Sequence, residues 1–268
     1  MKRQYTLYTL LWLLLLQSCD MIDYHPYDVR IDGETEVNAH NIEQIEAACR
    51  GKETIRFVTM GDSQRWYDET EDFVEHLNRR DDIDFVVHGG DMSDFGVTDE
   101  FLWQRNIMNK LNVPYVTLMG NHDCLGTGKE AYRAIFGDPN FSFIAGRVKF
   151  VCLNTNAIEF DYSHPIPDFQ FMADEAVSRR EEFDKTVFCM HVRPHADEFN
   201  NNVAEVFHYV VTQYPGLQFC TAAHEHRQFE MDLFGDGVIY YMSDCMKHRN
   251  YNVFTISPEG YEHEVVYY

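Results

Sequence analysis

Five short groups of residues in this sequence carry side chains that bind divalent cations: Asp62-Ser63-Gln64, Asp91-Met92-Ser93-Asp94, Asn121-His122-Asp123, His191, and His224-Glu225-His226. Carboxylate and amide oxygens mixed with imidazole nitrogens make a donor set for manganese, iron or zinc, so the chemistry within reach is that of a metal site. Taken singly each group says little, because an isolated Gly-Asp makes turns and a lone strand-end histidine has many uses. Their placement says more. Each group directly follows a strand-like run, at residues 55–60, 85–88, 115–118, 187–190 and 217–221. Side chains at the carboxyl ends of strands are delivered into a shared crevice.

The order is the more specific signal: Gly61-Asp62, Gly90-Asp91-x-x-Asp94, Gly120-Asn121-His122-Asp123, His191, then His224-x-His226. This set resembles the motif order of the calcineurin-like metallophosphoesterases over residues 55–245. The resemblance implies an α/β fold, a four-layer α/β/β/α sandwich with two mixed sheets flanked by helices, and a centre of two divalent metal ions at the loop edge. It implies Asp91 as the ligand shared by both metals, with Asp62, Gln64 and His226 completing one and Asn121, His191 and His224 the other. A shared carboxylate holds two cations about 3.5–4 Å apart, which lets them grip the attacking and leaving oxygens together. Two divalent cations facing two carboxylates leave a local charge of about +2, so an acidic protein can still hold a phosphate.

By the same resemblance the reaction is hydrolysis of a phosphate ester, whether phosphomonoester, phosphodiester or nucleotide diphosphate, by a hydroxide generated between the metals. His122, beside ligand Asn121, would stabilise the transferring group or protonate the leaving oxygen, with Asp94 orienting it. Asp94 could instead cap a helix start. The substrate would be a phosphorylated small molecule. Two rival readings remain: a catalytically inactive metal-binding interaction protein of the same fold, and a mononuclear hydrolase of amide or ester bonds.

Three positions depart from the common pattern. Gln64 stands where many members have histidine; an amide oxygen is a harder ligand, which moves preference toward manganese or iron. It is similar to the manganese-dependent ADP-ribose and CDP-alcohol diphosphatases, giving weight to a diphosphate or diester substrate. Ala223 replaces a glycine before His-x-His. Phe95 and Asp123 replace an arginine and a glutamate of the protein serine/threonine phosphatases, which argues against a protein substrate. Elsewhere, Gly126-Thr127-Gly128-Lys129 lacks P-loop spacing and reads as a flexible loop. His88 reads as a hydrogen-bonded core residue and His195 as solvent-facing. Lys247-His248-Arg249 is either a contact to an anionic substrate or a solvated turn.

The elements that must position these groups follow from hydrophobic spacing. In the first half, strands 55–60, 85–88 and 115–118 alternate with helices 71–79 and 100–111, the order of βαβ units. The second half offers strands at 141–143, 148–153, 187–190, 217–221, 238–242, 253–256 and 262–267 with helices 169–180 and 203–214. Residues 51–268 read as one metallophosphoesterase domain, preceded by a tether and extension at 19–50 with a short strand at 27–31 and a helix at 41–49. Of the 268 residues, 45% are hydrophobic, enough for one well-buried domain. Acidic residues outnumber basic ones 44 to 22, which disfavours a basic nucleic-acid-binding surface.

Lys2 and Arg3 precede an apolar run at 10–16 and then Gln17-Ser18-Cys19, the layout of an export signal too short to span a bilayer. This end resembles a bacterial lipoprotein signal, implying removal of residues 1–18, acylation of Cys19, and membrane anchoring facing the periplasm or cell surface. The six later cysteines are scattered, three of them within apolar runs, and read as buried thiols.

Overall fold

The computed structural model describes residues 25–160 and 164–268. The expected signal segment and Cys19 lie outside the described residues. The helices are α1 (Val37–Cys49), α2 (Tyr67–Leu77), α3 (Thr98–Met108), α4 (Gly128–Phe136), α5 (Phe169–Val177) and α6 (Ala204–Thr212). The strands are β1 (Ile55–Met60), β2 (Phe85–His88), β3 (Tyr115–Thr117), β4 (Phe141–Ala145), β5 (Val148–Leu153), β6 (Lys185–Met190), β7 (Leu217–Ala222), β8 (Phe229–Asp232), β9 (Ile239–Met242), β10 (Asn250–Ser257) and β11 (Gly260–Tyr267).

Among the described residues these strands form two mixed sheets. One is ordered β11-β10-β1-β2-β3, with β1, β2 and β3 mutually parallel. The other is ordered β4-β5-β6-β7-β9-β8, with β5, β6, β7 and β9 parallel. The central strands are buried on both faces and so read as continuous apolar runs. Between the sheets Phe57, Phe85, Phe150, Phe219 and Phe254 form an aromatic core, with Phe57 edge-on to Phe150 at 4.9 Å and Phe219 stacked on Phe254 at 4.5 Å. Helices α2, α3 and α4 cover the outer face of the first sheet through Phe73, Phe101, Tyr132 and Phe136. Helices α5 and α6 cover the second through Met172, Phe207 and Val211. This is the four-layer α/β/β/α sandwich expected, and it brings the carboxyl ends of β1, β2, β3, β6 and β7 to one edge.

Four local readings differ from the sequence expectation. Residues 27–31 form no strand; the carbonyls of Tyr27 and Asp28 accept bonds from the Thr127 and Thr98 hydroxyls instead of a neighbouring strand. Helix α1 begins at Val37, earlier than expected, and docks into the domain. Helix α4 begins at Gly128, inside the segment read as a loop, and buries Ala131, Tyr132, Ile135 and Phe136 on one face. Strand β8 lies at the sheet edge with three of its four residues exposed, so it lacks the apolar pattern that marks a strand.

Helix α1 solves a problem created by the short β3, the last strand of its sheet. The Asn38 amide accepts from Thr117 N–H at 2.8 Å and donates to Thr117 C=O at 3.0 Å, imitating one residue of a further strand. Tyr132 Oη also donates to that carbonyl, at 2.7 Å, so the amide N–H is the group that depends on Asn38. Replacing Asn38 by alanine is expected to lower stability by about 1–3 kcal/mol, the cost of an unpaired buried N–H. Urea unfolding measures it, and an unchanged midpoint would show that the edge finds another partner.

Candidate metal centre

All seven expected ligands meet at the edge where the five strands end, and a continuous run of polar contacts joins them. Gln64 Nε2 donates to Asp91 Oδ2 at 3.3 Å, and that oxygen lies 3.5 Å from His191 Nε2. His191 Nε2 is 3.0 Å from Asn121 Oδ1, which lies 2.9 Å from His224 Nδ1. His224 N–H donates to Asp62 Oδ2 at 3.0 Å, and Asp62 Oδ1 is 3.4 Å from His226 Nε2. Asp62, Asp91 and His191 are fully buried at the base, while His226 and His122 open to solvent.

The backbone bends to achieve this. Asp62, Asp91, His224 and His226 have φ of 49°, 58°, 74° and 50°, in the left-handed region that non-glycine residues seldom adopt. Such conformations persist where the surroundings over-determine them and cluster at functional sites. Gly120 shows how tight the approach is, since a Cβ there would fall 2.1 Å from Asp91 Oδ1. The departure at Ala223 is accommodated in a similar way: its buried methyl fills the space above Gly61 and Gly89, where a Cβ on either glycine would meet it at 3.0 or 2.9 Å.

Acceptor oxygens crowd the cluster. His191 Nδ1–H donates to Gly89 C=O at 2.8 Å, which turns Nε2 toward the Asn121 and Asp91 oxygens. Among the described residues Asp62 Oδ1 and Gln64 Oε1 are buried and make no hydrogen bond of normal geometry, Asp62 Oδ1 having only the 3.4 Å approach of His226 Nε2. Burial raises the Asp62 carboxyl above its ordinary range, partly offset by His226. Burial also pushes the Asp91 carboxyl up, but His191 and the His122 N–H outweigh it and leave Asp91 below the ordinary range. Burial opposes charge on His191, yet Asp91 overcomes this and raises the imidazole to about 9. His224, buried and facing His191, is pushed down to about 4. A proton on His191 is the local answer to converging oxygens, and a divalent cation would take its place.

A calcineurin-like phosphoesterase family model matches residues 55–228, which include all five groups and the strands that lead into them. The chain belongs to the calcineurin-like phosphoesterase family. A search of curated proteins found no match. Among solved structures, GAP50, the anchor in the inner membrane complex of Plasmodium, is similar at 11% identity and a TM-score of 0.63, covering 81% of this chain and 85% of that one. A dimetal phosphatase from Danio rerio is similar at 13% identity and a TM-score of 0.60, over 80% of this chain and 99% of that one. A purple acid phosphatase from yellow lupin is similar at 15% identity and a TM-score of 0.58, over 81% of this chain and 55% of that one. At these identities the likeness is one of fold.

In this phosphoesterase the His122–Asp94 pairing takes a different form from a carboxylate–imidazole bond. His122 Nδ1 lies 3.0 Å from the Asp94 backbone carbonyl and 3.7 Å from its carboxylate Oδ1, which is bonded to Arg65. His88 is buried as expected, bonded to Ser63 Oγ at 2.8 Å and accepting from Gly90 N–H at 3.1 Å; burial pushes it down to about 3. His195 faces solvent. In the 247–249 turn, Lys247 lies over the Trp66 ring, His248 pairs with Asp244 and Arg249 with Asp72. A second cluster of metal-binding types, Asp244, Cys245 and His248, differs in kind from the first. Asp244 Oδ1 already accepts from Cys245 N–H and His248 Nδ1, both at 2.8 Å, and Asp244 Oδ2 from Asn250 Nδ2 at 3.3 Å, so this carboxylate is hydrogen-bonded through both oxygens. The six cysteines after Cys19 are buried free thiols.

Asp123, to which the resemblance assigns no role, holds the loops of the centre together. Its fully buried carboxylate accepts four backbone N–H bonds: from Asp91 and Gly120 on Oδ2 at 2.9 and 2.8 Å, and from Met92 and Ser93 on Oδ1 at 2.9 and 2.8 Å. Burial and Asp91 push its carboxyl up to about 7 against the pull of those donors. Its place in Gly-Asn-His-Asp was the available signal. In Asp123→Asn an NH₂ group faces two backbone N–H donors, and manganese affinity is expected to fall about 10- to 100-fold, the usual loss when groups behind metal ligands are removed. Calorimetric titration checks this; wild-type affinity would show that the loops hold the ligands without the carboxylate.

Proposed function

We propose that this calcineurin-like phosphoesterase hydrolyses a phosphate ester, whether phosphomonoester, phosphodiester or nucleotide diphosphate, with two divalent cations held by the seven residues of the cluster. The observation that carries the reading is the convergence of Asp62, Asp91 and His191 within 4.8 Å of one another, beside the buried Asp62 Oδ1 and Gln64 Oε1 that make no hydrogen bond among the described residues. The residues present fit the group. Asp62, Gln64, Asp91 and His226 would hold one ion, and Asp91, Asn121, His191 and His224 the other. Ions bound there polarise phosphoryl oxygens and lower the pKa of water.

The chain's own residues supply the rest. His122 is fixed by its backbone N–H bond to Asp91 Oδ1 at 2.9 Å and by Nδ1–H on the Asp94 carbonyl, which leaves Nε2 free to face a phosphoryl or leaving oxygen and, in the imidazolium form, to donate to it. Gly89 C=O holds the His191 ring in one orientation. A cavity of about 920 Å³ has walls that include Ala157, Phe160, Phe199 and Asn200. The residues before Ala157 tie it to the metal loops: Asn156 Nδ2 donates to Met119 C=O at 2.8 Å, and Thr155 Oγ1 accepts from Val192 N–H at 3.0 Å. That room suits the organic part of a phosphorylated small molecule. The neutral oxygen of Gln64 in place of an imidazole favours manganese or iron over zinc.

Nitrophenyl phosphate mono- and diesters test the proposal. Protein stripped by chelation and reloaded separately with manganese, iron or zinc is expected to bind two ions per chain and hydrolyse at least one ester. His122→Asn is expected to keep both ions and lose about 10²- to 10⁴-fold in kcat, the range of general acid catalysis. Two bound ions with no ester hydrolysis would favour an interaction protein, and one ion with activity on carboxyl esters a mononuclear hydrolase.

We also propose export and anchoring through acylated Cys19, supported by the Lys2-Arg3, apolar and Gln17-Ser18-Cys19 layout. Among the described residues no helix is long and apolar enough to cross a membrane. Acyl chains stabilise membrane association by roughly 0.8 kcal/mol per buried CH₂, so Cys19→Ala is expected to move the protein from the membrane to the soluble fraction. Unchanged fractionation would rule out the anchor.

A further inference from the structure

Metal ions take the oxygens of a phosphate that face them; a dianionic phosphate carries further charge that other donors must meet. The cations around the centre are mostly committed. Arg193 is bonded through two nitrogens to Glu225, Lys129 donates to the Glu159 carbonyl, Lys247 rests over Trp66, and Arg249 pairs with Asp72. Arg65 is different. It directly follows the ligand Gln64, in the left-handed conformation with φ of 57°, and its side chain is 59% exposed. A guanidinium offers five N–H donors, and among the described residues the bond it makes is to Asp94 Oδ1.

That carboxylate oxygen is also the one 3.7 Å from His122 Nδ1. Asp94 is nearly buried, so the oxygen is a fixed point with the imidazole on one side and the guanidinium on the other. The Arg65 donors not used by Asp94 therefore open to solvent beside the group assigned to act on substrate. Planar N–H pairs of this kind match phosphate oxygens geometrically, which an ammonium does not.

We propose that Arg65 is a substrate-binding residue that donates to a phosphoryl oxygen not held by the metals, and that it sets a preference for dianionic phosphomonoesters over monoanionic diesters. The inference rests on the phosphoesterase reading of the same centre. It involves binding alone, so no bond is made or broken at Arg65. Asp94 positions the guanidinium, which gives that carboxylate a second role besides its contact with His122.

The test compares wild type, Arg65→Gln and Arg65→Lys, loaded with manganese, on nitrophenyl phosphate and bis-nitrophenyl phosphate, with inorganic phosphate binding followed by calorimetry. Loss of a charge-assisted bond is expected to lower kcat/KM for the monoester and weaken phosphate binding, each by about 10- to 100-fold, with a clearly smaller loss on the diester. The lysine variant should recover part of the phosphate affinity. Equal losses on both esters, or unchanged phosphate affinity, would overturn the role. If Arg65→Gln fails to fold or to hold metal, Arg65→Lys decides it alone, since loss of the guanidinium geometry must still weaken phosphate binding. Should wild type hydrolyse neither ester, the phosphoesterase reading fails by itself, while phosphate affinity across the variants still decides Arg65.

Discussion

The Asp123 carboxylate and the four backbone N–H groups it gathers are the constraint on which the centre depends. Three donors come from consecutive residues after β2 and the fourth from Gly120 after β3, so one buried side chain ties two loops into a single body. Those loops carry Asp91 and Asn121. A charged acceptor is well suited to the task, because bonds to an ionised oxygen are shorter and about twice as strong as neutral ones. The same clamp explains the glycines around it. Gly120 lies so close to Asp91 that no side chain fits, and Gly90, at φ of 101°, has no room for a Cβ beside His191 Nδ1.

Two sheets then present ligands from opposite sides. Asp62, Gln64, Asp91 and Asn121 follow strands of the first sheet, and His191, His224 and His226 follow strands of the second. The aromatic core between the sheets thus fixes the distance across the metal centre, since Phe57 and Phe219 lie on β1 and β7, the strands that lead into Asp62 and His224. The cross-sheet contacts are polar: the Asp62–His224 hydrogen bond, His191 on Gly89, and the approach of Asn121 to both imidazoles. A site made this way holds its donors close before any cation arrives, at the cost of left-handed backbone at four ligands and unpaired oxygens at two. A cation bound there would satisfy the two oxygens.

The ligand groups were legible in the sequence because each sits at the end of an apolar run long enough to be recognised as a buried strand. Gly-Asp, Gly-Asn-His-Asp and His-x-His kept their order, so the architecture followed from the same residues. Pattern failed where burial did not follow period. Strand β8 is an exposed edge, and residues 27–31 alternate like a strand but bond to threonine hydroxyls. Helix α4 starts on Gly128 within a glycine-rich stretch that resembles a loop, although Ala131, Tyr132, Ile135 and Phe136 carry the helical spacing. Interactions that depend on three dimensions were out of reach: Asn38 closing the edge of β3, Arg65 sharing the Asp94 oxygen with His122, and the four donors on Asp123. Gln64, the ligand furthest from the common pattern, is in place beside Asp91, with its amide oxygen left unpaired.

The central claim is that the orphaned oxygens of Asp62 and Gln64 and the lone pairs of His191, Asn121 and His224 exist to hold two cations sharing Asp91. Anomalous diffraction from crystals grown with manganese tests it most directly. The account predicts two peaks about 3.5–4 Å apart astride Asp91, one against Asp62, Gln64 and His226 and the other against Asn121, His191 and His224. A single peak, or metal bound instead at Asp244 and His248, would contradict it.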